Sequence, residues 1–105
     1  MTAMGWADRT IEELRAGQIS RCRPHGNSMR GRIESGQLVT LDPGREPEVG
    51  DAVLCRCRGN IYVHLVKAIA GHGDAQRFLI GNNRGGTNGW VYRGGIFGVV
   101  IDVAE

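Results

Sequence analysis

AVLCRCRGNIYVHLVKAI, residues 52–69, is the stretch that decides the fold. Two runs rich in apolar and β-branched side chains, residues 52–58 and 61–69, flank the pair Gly59-Asn60. A two-residue connection of this composition between two such runs predicts a β-hairpin. The same signals recur outward from it. Residues 77–80 and 96–103 predict strands toward the C-terminus. Residues 81–89, mostly Gly and Asn, predict a turn or loop between them. Toward the N-terminus, residues 37–41 predict a strand that stops at the turn Asp42-Pro43-Gly44, and Pro47 and Gly50 bound a further loop. Residues 19–23 alternate as a half-buried strand does, Pro24 ends that strand, and His25-Gly26-Asn27 turns the chain into Ser28-Met29.

Only the first part of the chain has helical periodicity. Thr10-Ile11-Glu12-Glu13 has the form of a capping box, Ile11 and Leu14 share a face, and Gly17 is placed to end the helix. The expected organisation is an N-terminal helical segment, residues 1–17, followed by a β domain, residues 18–105. The expected fold is mainly β: a small twisted antiparallel sheet or partly closed barrel with one short N-terminal helix. Composition agrees. With 105 residues there is room for one core. Seventeen glycines suit tight turns and would weaken a helical bundle.

Charge and cysteine content narrow the function classes. A net charge of +2, with the arginines spread along the chain, does not predict nucleic-acid binding. No apolar run approaches the roughly 20 residues of a membrane-spanning helix. The acidic Asp8, Glu12 and Glu13 near the start do not suit a secretory signal. The odd cysteine count, Cys22, Cys55 and Cys57, predicts free thiols and a cytoplasmic location. Cys22, His25, Cys55 and Cys57 lack the regular spacing of structural zinc ligands, so no metal and no other cofactor is expected.

Three segments carry the candidate chemistry: Gly26-Asn27-Ser28-Met29, Tyr62-Val63-His64-Leu65-Val66 and Gly81-Asn82-Asn83. Between and after them lie Gly36-Gln37-Leu38-Val39, Glu48-Val49-Gly50-Asp51-Ala52-Val53 and Ile96-Phe97-Gly98-Val99-Val100. Taken in order, over roughly residues 18–101, this set resembles the serine peptidase superfamily of signal peptidases and LexA-type repressors. The resemblance implies that Ser28, in the Gly-x-Ser-Met segment, is the nucleophile and that His64 stands where the family places its general base. Most members have lysine there; the endoplasmic-reticulum signal peptidases have histidine. Lys67, an odd number of residues further along the strand, is expected on the other face.

The roles fit the chemistry. A serine hydroxyl needs a base in hydrogen-bond reach, and histidine can take the proton and return it to a leaving amine. Backbone N–H groups of Ser28 and Met29 are candidates for the oxyanion site, and Asn82 or Asn83 for the group that orients His64. Two positions depart from the family pattern: Gly31 replaces a proline, and Asn82 replaces an acidic residue. The expected partner is an extended peptide or protein substrate, bound as an added strand, with a protein partner or self-association also open. Two function classes follow. One is a serine endopeptidase-like enzyme; the other is a catalytically inactive regulatory module that binds peptide or protein on the same fold.

Overall fold

The computed structural model describes residues 5–105. Helix α1 (Asp8–Arg15) is followed by seven strands: β1 (Ser20–Cys22), β2 (Leu38–Asp42), β3 (Ala52–Cys57), β4 (Asn60–Ala70), β5 (Arg77–Gly81), β6 (Thr87–Tyr92) and β7 (Ile96–Ala104). They form one antiparallel sheet in the order β1-β2-β7-β3-β4-β5-β6, so the edge strands β1 and β6 do not pair with each other and the sheet does not close.

Strand β3 is central and buried on both faces. Ala52 and Leu54 join one apolar cluster with Ile11 and Leu14 of α1, Met29, Ile33, Val39, Leu41, Val63, Leu65 and Phe97. Val53, Cys55 and Cys57 point the other way, into a second cluster with Val66, Phe78, Ile80, Val91, Ile96 and Val99. This two-sided burial explains why residues 52–55 read as an unbroken apolar run. Helix α1 covers the first cluster, so helix and sheet share one core.

The hairpin forms, but its loop is Arg58-Gly59 and not Gly59-Asn60: Cys57 pairs with Asn60. Both loop residues have positive φ, 51° and 82°, as a type I′ turn requires to match strand twist. A loop at residues 59–60 would move every β4 partner by two positions. That step is even, so each side chain keeps the expected face.

Two other expectations change. Thr10 is not the N-cap; Ala7 is, without a side-chain cap. Thr10 instead donates its hydroxyl to Arg21 O (3.1 Å), and Glu13 accepts from Ser20 Oγ (2.5 Å), so the would-be capping box fastens α1 to β1. Ser20 is accordingly buried and Ile19 is exposed. The helix ends at Gly17 as expected, where Gly17 N–H donates to Leu14 O and Gln18 N–H to Glu13 O in a Schellman motif. The second change is β6, which takes Thr87, Asn88 and Gly89 from the expected loop. Pairing with β5 overrides their poor strand propensity.

The hairpin yields a direct test. Arg58 is the one non-glycine residue with positive φ among the described residues. Arg58→Asn creates the favoured Asn-Gly turn pair and relieves part of an αL cost of about 1–2 kcal/mol. Urea unfolding should show a gain of about 1 kcal/mol at unchanged m-value; a loss would refute the type I′ reading.

Candidate active site

Strand β4 serves two neighbours in turn. Residues 60–65 pair with β3, and residues 65–70 pair with β5 through a bulge at Lys67. Opposite β3, residues 60–64 therefore have no strand beside them. Val66 N–H donates to Asp51 O and Val66 O accepts from Gly50 N–H, so even-numbered residues direct their backbone groups toward β3. By alternation, Ile61 and Val63 direct theirs to the open edge.

The side chain of His64 lies on the face of Val66 and is 4% exposed. On that face it meets Ser28, 36 residues earlier: Ser28 Oγ and His64 Nε2 are 2.9 Å apart. On the other side of the ring, His64 Nδ1 is 2.7 Å from Asn88 Oδ1. An amide oxygen only accepts, so Nδ1 carries the proton. Nε2 is then the bare nitrogen, and the Ser28 hydroxyl donates to it.

The segment bearing Ser28 is held from both sides. Met29 is buried in the first cluster and anchors the turn from below. Arg32 N–H and Ile33 N–H both donate to Met29 O (2.9 and 2.8 Å). Asn83 N–H donates to Ser28 O (2.8 Å), and Asn83 Nδ2 donates to Arg30 O (2.9 Å). Gly31 has φ +96°, which proline cannot adopt, and a Cβ there would stand 3.2 Å from Asn83 Nδ2. The departure from proline to glycine is thus fitted to the Asn83 clamp.

Neither asparagine expected to orient His64 does so. Asn82 Oδ1 accepts from Arg84 N–H and Gly86 N–H and shapes its own loop, and Asn83 holds the serine segment. The imidazole partner is Asn88, which lay hidden in a stretch read as loop. It reaches the ring because β6 crosses the hairpin: Arg58 Nε is 3.2 Å and Cys57 Sγ 3.5 Å from where a Gly89 Cβ would be. The Asn-Gly pair in that stretch is a turn signal, and only the pairing of β6 makes it strand.

Ser28 and His64 sit on a cleft of about 320 Å³, lined also by Trp6, Pro24, His25, Ile33, Ile61 and Val63. The cleft runs along the open edge of β4. The remaining candidates lie elsewhere. Cys55 and Cys57 are buried in the second cluster, whereas Cys22 packs against the first. All three thiols are free, and burial pushes Cys22 up to about 11 and Cys55 up to about 12. Among the described residues no group of three or more His, Cys, Asp or Glu could hold a metal ion. No described helix is long and apolar enough to cross a membrane.

Comparison with known families finds a match. The family model described as Peptidase S24-like matches residues 6–87, most of the chain. The chain belongs to the Peptidase S24-like family. It is therefore a peptidase-fold protein of the LexA and signal-peptidase superfamily. Ser28, His64, Asn82 and Asn83 all fall within the S24-like match, and Asn88 lies one residue beyond its end. A search of curated proteins finds no match.

Burial lowers the pKa of His64 below its usual value near 6.5, and the hydrogen bond to Asn88 opposes part of that shift. The unfolded chain then takes up this proton more readily than the folded one. The neutral imidazole therefore contributes stability above pH 6.5, and that contribution is lost as pH falls through 6.5 toward the folded pKa. The urea midpoint should drop over this window, and His64→Gln should flatten that part of the profile. A midpoint that rises as pH falls would contradict a buried neutral His64.

Proposed function

We propose that this chain is a serine endopeptidase of the S24-like kind, with Ser28 as nucleophile and His64 as general base. The observation that carries the reading is the 2.9 Å contact between Ser28 Oγ and the unprotonated Nε2 of a histidine whose tautomer Asn88 selects. As Ser28 Oγ attacks a peptide carbonyl carbon, its proton passes to Nε2. The C–N bond then breaks, the leaving amine takes that proton, and water releases the acyl group by the same steps in reverse. Among the described residues the N–H groups of Ser28 and Met29 make no hydrogen bond, which suits them to receive the carbonyl oxygen as it becomes an oxyanion.

Peptide would bind as a strand against the open edge of β4. Ile61 and Val63 offer unpaired N–H and C=O groups there, and Ser28 stands across the cleft from them. Lys67 would take no part: its side chain lies over Gly81, the β5 partner of Leu65, with Cε 2.9 Å from where a Gly81 Cβ would be, on the face opposite His64. Three free thiols suit a reducing compartment, so the cytoplasm is the proposed location.

One observation favours a second reading. The group on Nδ1 is a neutral amide and not a carboxylate, so nothing on that side compensates the charge of an imidazolium. A weak or absent general base would leave a regulatory module that binds extended peptide without cutting it.

A fluorophosphonate probe separates the two. Labelling of the wild-type protein and not of Ser28→Ala supports the enzyme. Absence of labelling together with saturable peptide binding supports the module. In the enzyme, Ser28→Ala, His64→Ala and the double variant should fall to one floor, roughly 10³-fold down, because the pair acts as a unit. Lys67→Ala should change kcat/KM less than about twofold. The acid limb of kcat/KM should lie below pH 6.5, following the lowered pKa of His64. Loss of hydrolysis in Lys67→Ala with retention in His64→Ala would overturn the assignment of the base.

A further inference from the structure

The Ser28–His64 contact leaves both faces of the imidazole unexplained, and one of them is covered. Tyr62, two residues earlier on β4 and on the same face, lays its ring on His64: the centroids are 4.5 Å apart and the planes 19° from parallel. Tyr62 is half-buried, packs against the second cluster and also lines the cleft. We propose that Tyr62 is the positioning residue of the pair, its π face fixing the plane of the His64 ring and stabilising the imidazolium form of that ring.

The hydrogen bonds to Ser28 and Asn88 lie in the ring plane at opposite nitrogens. Together with the bond to Cβ they set the ring plane, and a face-on contact resists tilting of the ring out of it. The same contact acts on charge. An aromatic face attracts a cation that sits over it, and a neutral ring gains much less. The stack therefore favours the protonated ring, the state His64 enters when it takes the Ser28 proton. It supplies some of what the neutral amide of Asn88 lacks.

The other groups around the ring do not substitute for it. On β3, Val53 pairs with His64 and the thiol-bearing Cys55 pairs with Tyr62. From β6 comes Asn88, which does not titrate, and from the serine segment Ser28. Along β4, Lys67 lies at the bulge. Across the cleft stand His25 and Glu34, and the Glu34 carboxylate is held by Gly31 N–H at 2.7 Å and by Arg30 at 3.8 Å.

The role in charge stabilisation rests on the catalytic reading only for its use; the contact itself is tested without turnover. The His64 imidazole is titrated by heteronuclear NMR in the wild type, Tyr62→Phe and Tyr62→Leu. Phenylalanine keeps the face, so its curve should overlay the wild type. Leucine keeps the apolar cover and removes the face, so the His64 pKa should fall by about half a unit, a roughly threefold change in proton affinity. Should Tyr62→Leu fail to fold, Tyr62→Met provides the same comparison. A Leu or Met variant that titrates with or above the wild type would show that Tyr62 only fills space, and would overturn the proposal. Failure of Ser28 to label would count against the peptidase and leave this titration unaffected.

Discussion

The register between β3 and β4 is the constraint on which the rest of the molecule depends. Val53 faces His64 across the ladder, and Leu54 faces Val63. Because side chains alternate, this register sends Val63 and Leu65 into the cluster under α1 and sends Tyr62, His64 and Val66 to the other side. A slip of one residue would bury the imidazole among Met29, Leu54 and Phe97, where nothing could accept its proton, and would expel two apolar side chains. Burial on both faces of β3 makes such a slip costly. The turn at Arg58-Gly59 then sets where the ladder begins.

A polar site can stand beside two apolar cores because its polar groups are satisfied in pairs. His64 uses both ring nitrogens, one on Ser28 and one on Asn88. The asparagines divide the work: Asn82 closes its own turn, Asn83 clamps the serine segment, and Asn88 selects the tautomer. No buried side-chain nitrogen or oxygen among the described residues lacks a partner. A buried neutral imidazole with both nitrogens bonded is inexpensive, whereas a buried charged one is not. That balance makes the histidine a base of lowered pKa, and leaves any stabilisation of its charged form to the groups nearest the ring.

The S24-like sheet also leaves something open by construction. Strand β4 is longer than either neighbour and changes partner halfway along its length. The half that carries His64 is the half without a second strand. An unpaired edge is usually a liability that proteins cover. Here the Ser28 segment and Trp6 flank it and turn it into a cleft. The Ser28–His64 contact and the open edge are thus consequences of one feature, the handover of β4 from β3 to β5.

Much of this was legible in residue order. Period-two patterning, the turn residues around Gly59 and the glycine-rich composition determined a small antiparallel sheet with one short helix, because alternation and turn chemistry are local properties. The ordered motifs singled out Ser28 and His64. Local signals failed where a residue's partner is remote. Thr10 and Glu13 have the spacing of a cap, yet β1 offered them better partners. Asn82 and Asn83 lie in the family's turn, yet the imidazole binds Asn88. No local pattern marks Asn88, since Thr87-Asn88-Gly89 has loop composition and becomes strand only by pairing with β5. The sequence by itself determined which elements form and which residues can do chemistry. Only the tertiary structure decided which asparagine meets the histidine and which strand edge stays free, because both depend on how strands far apart in the chain cross and pair.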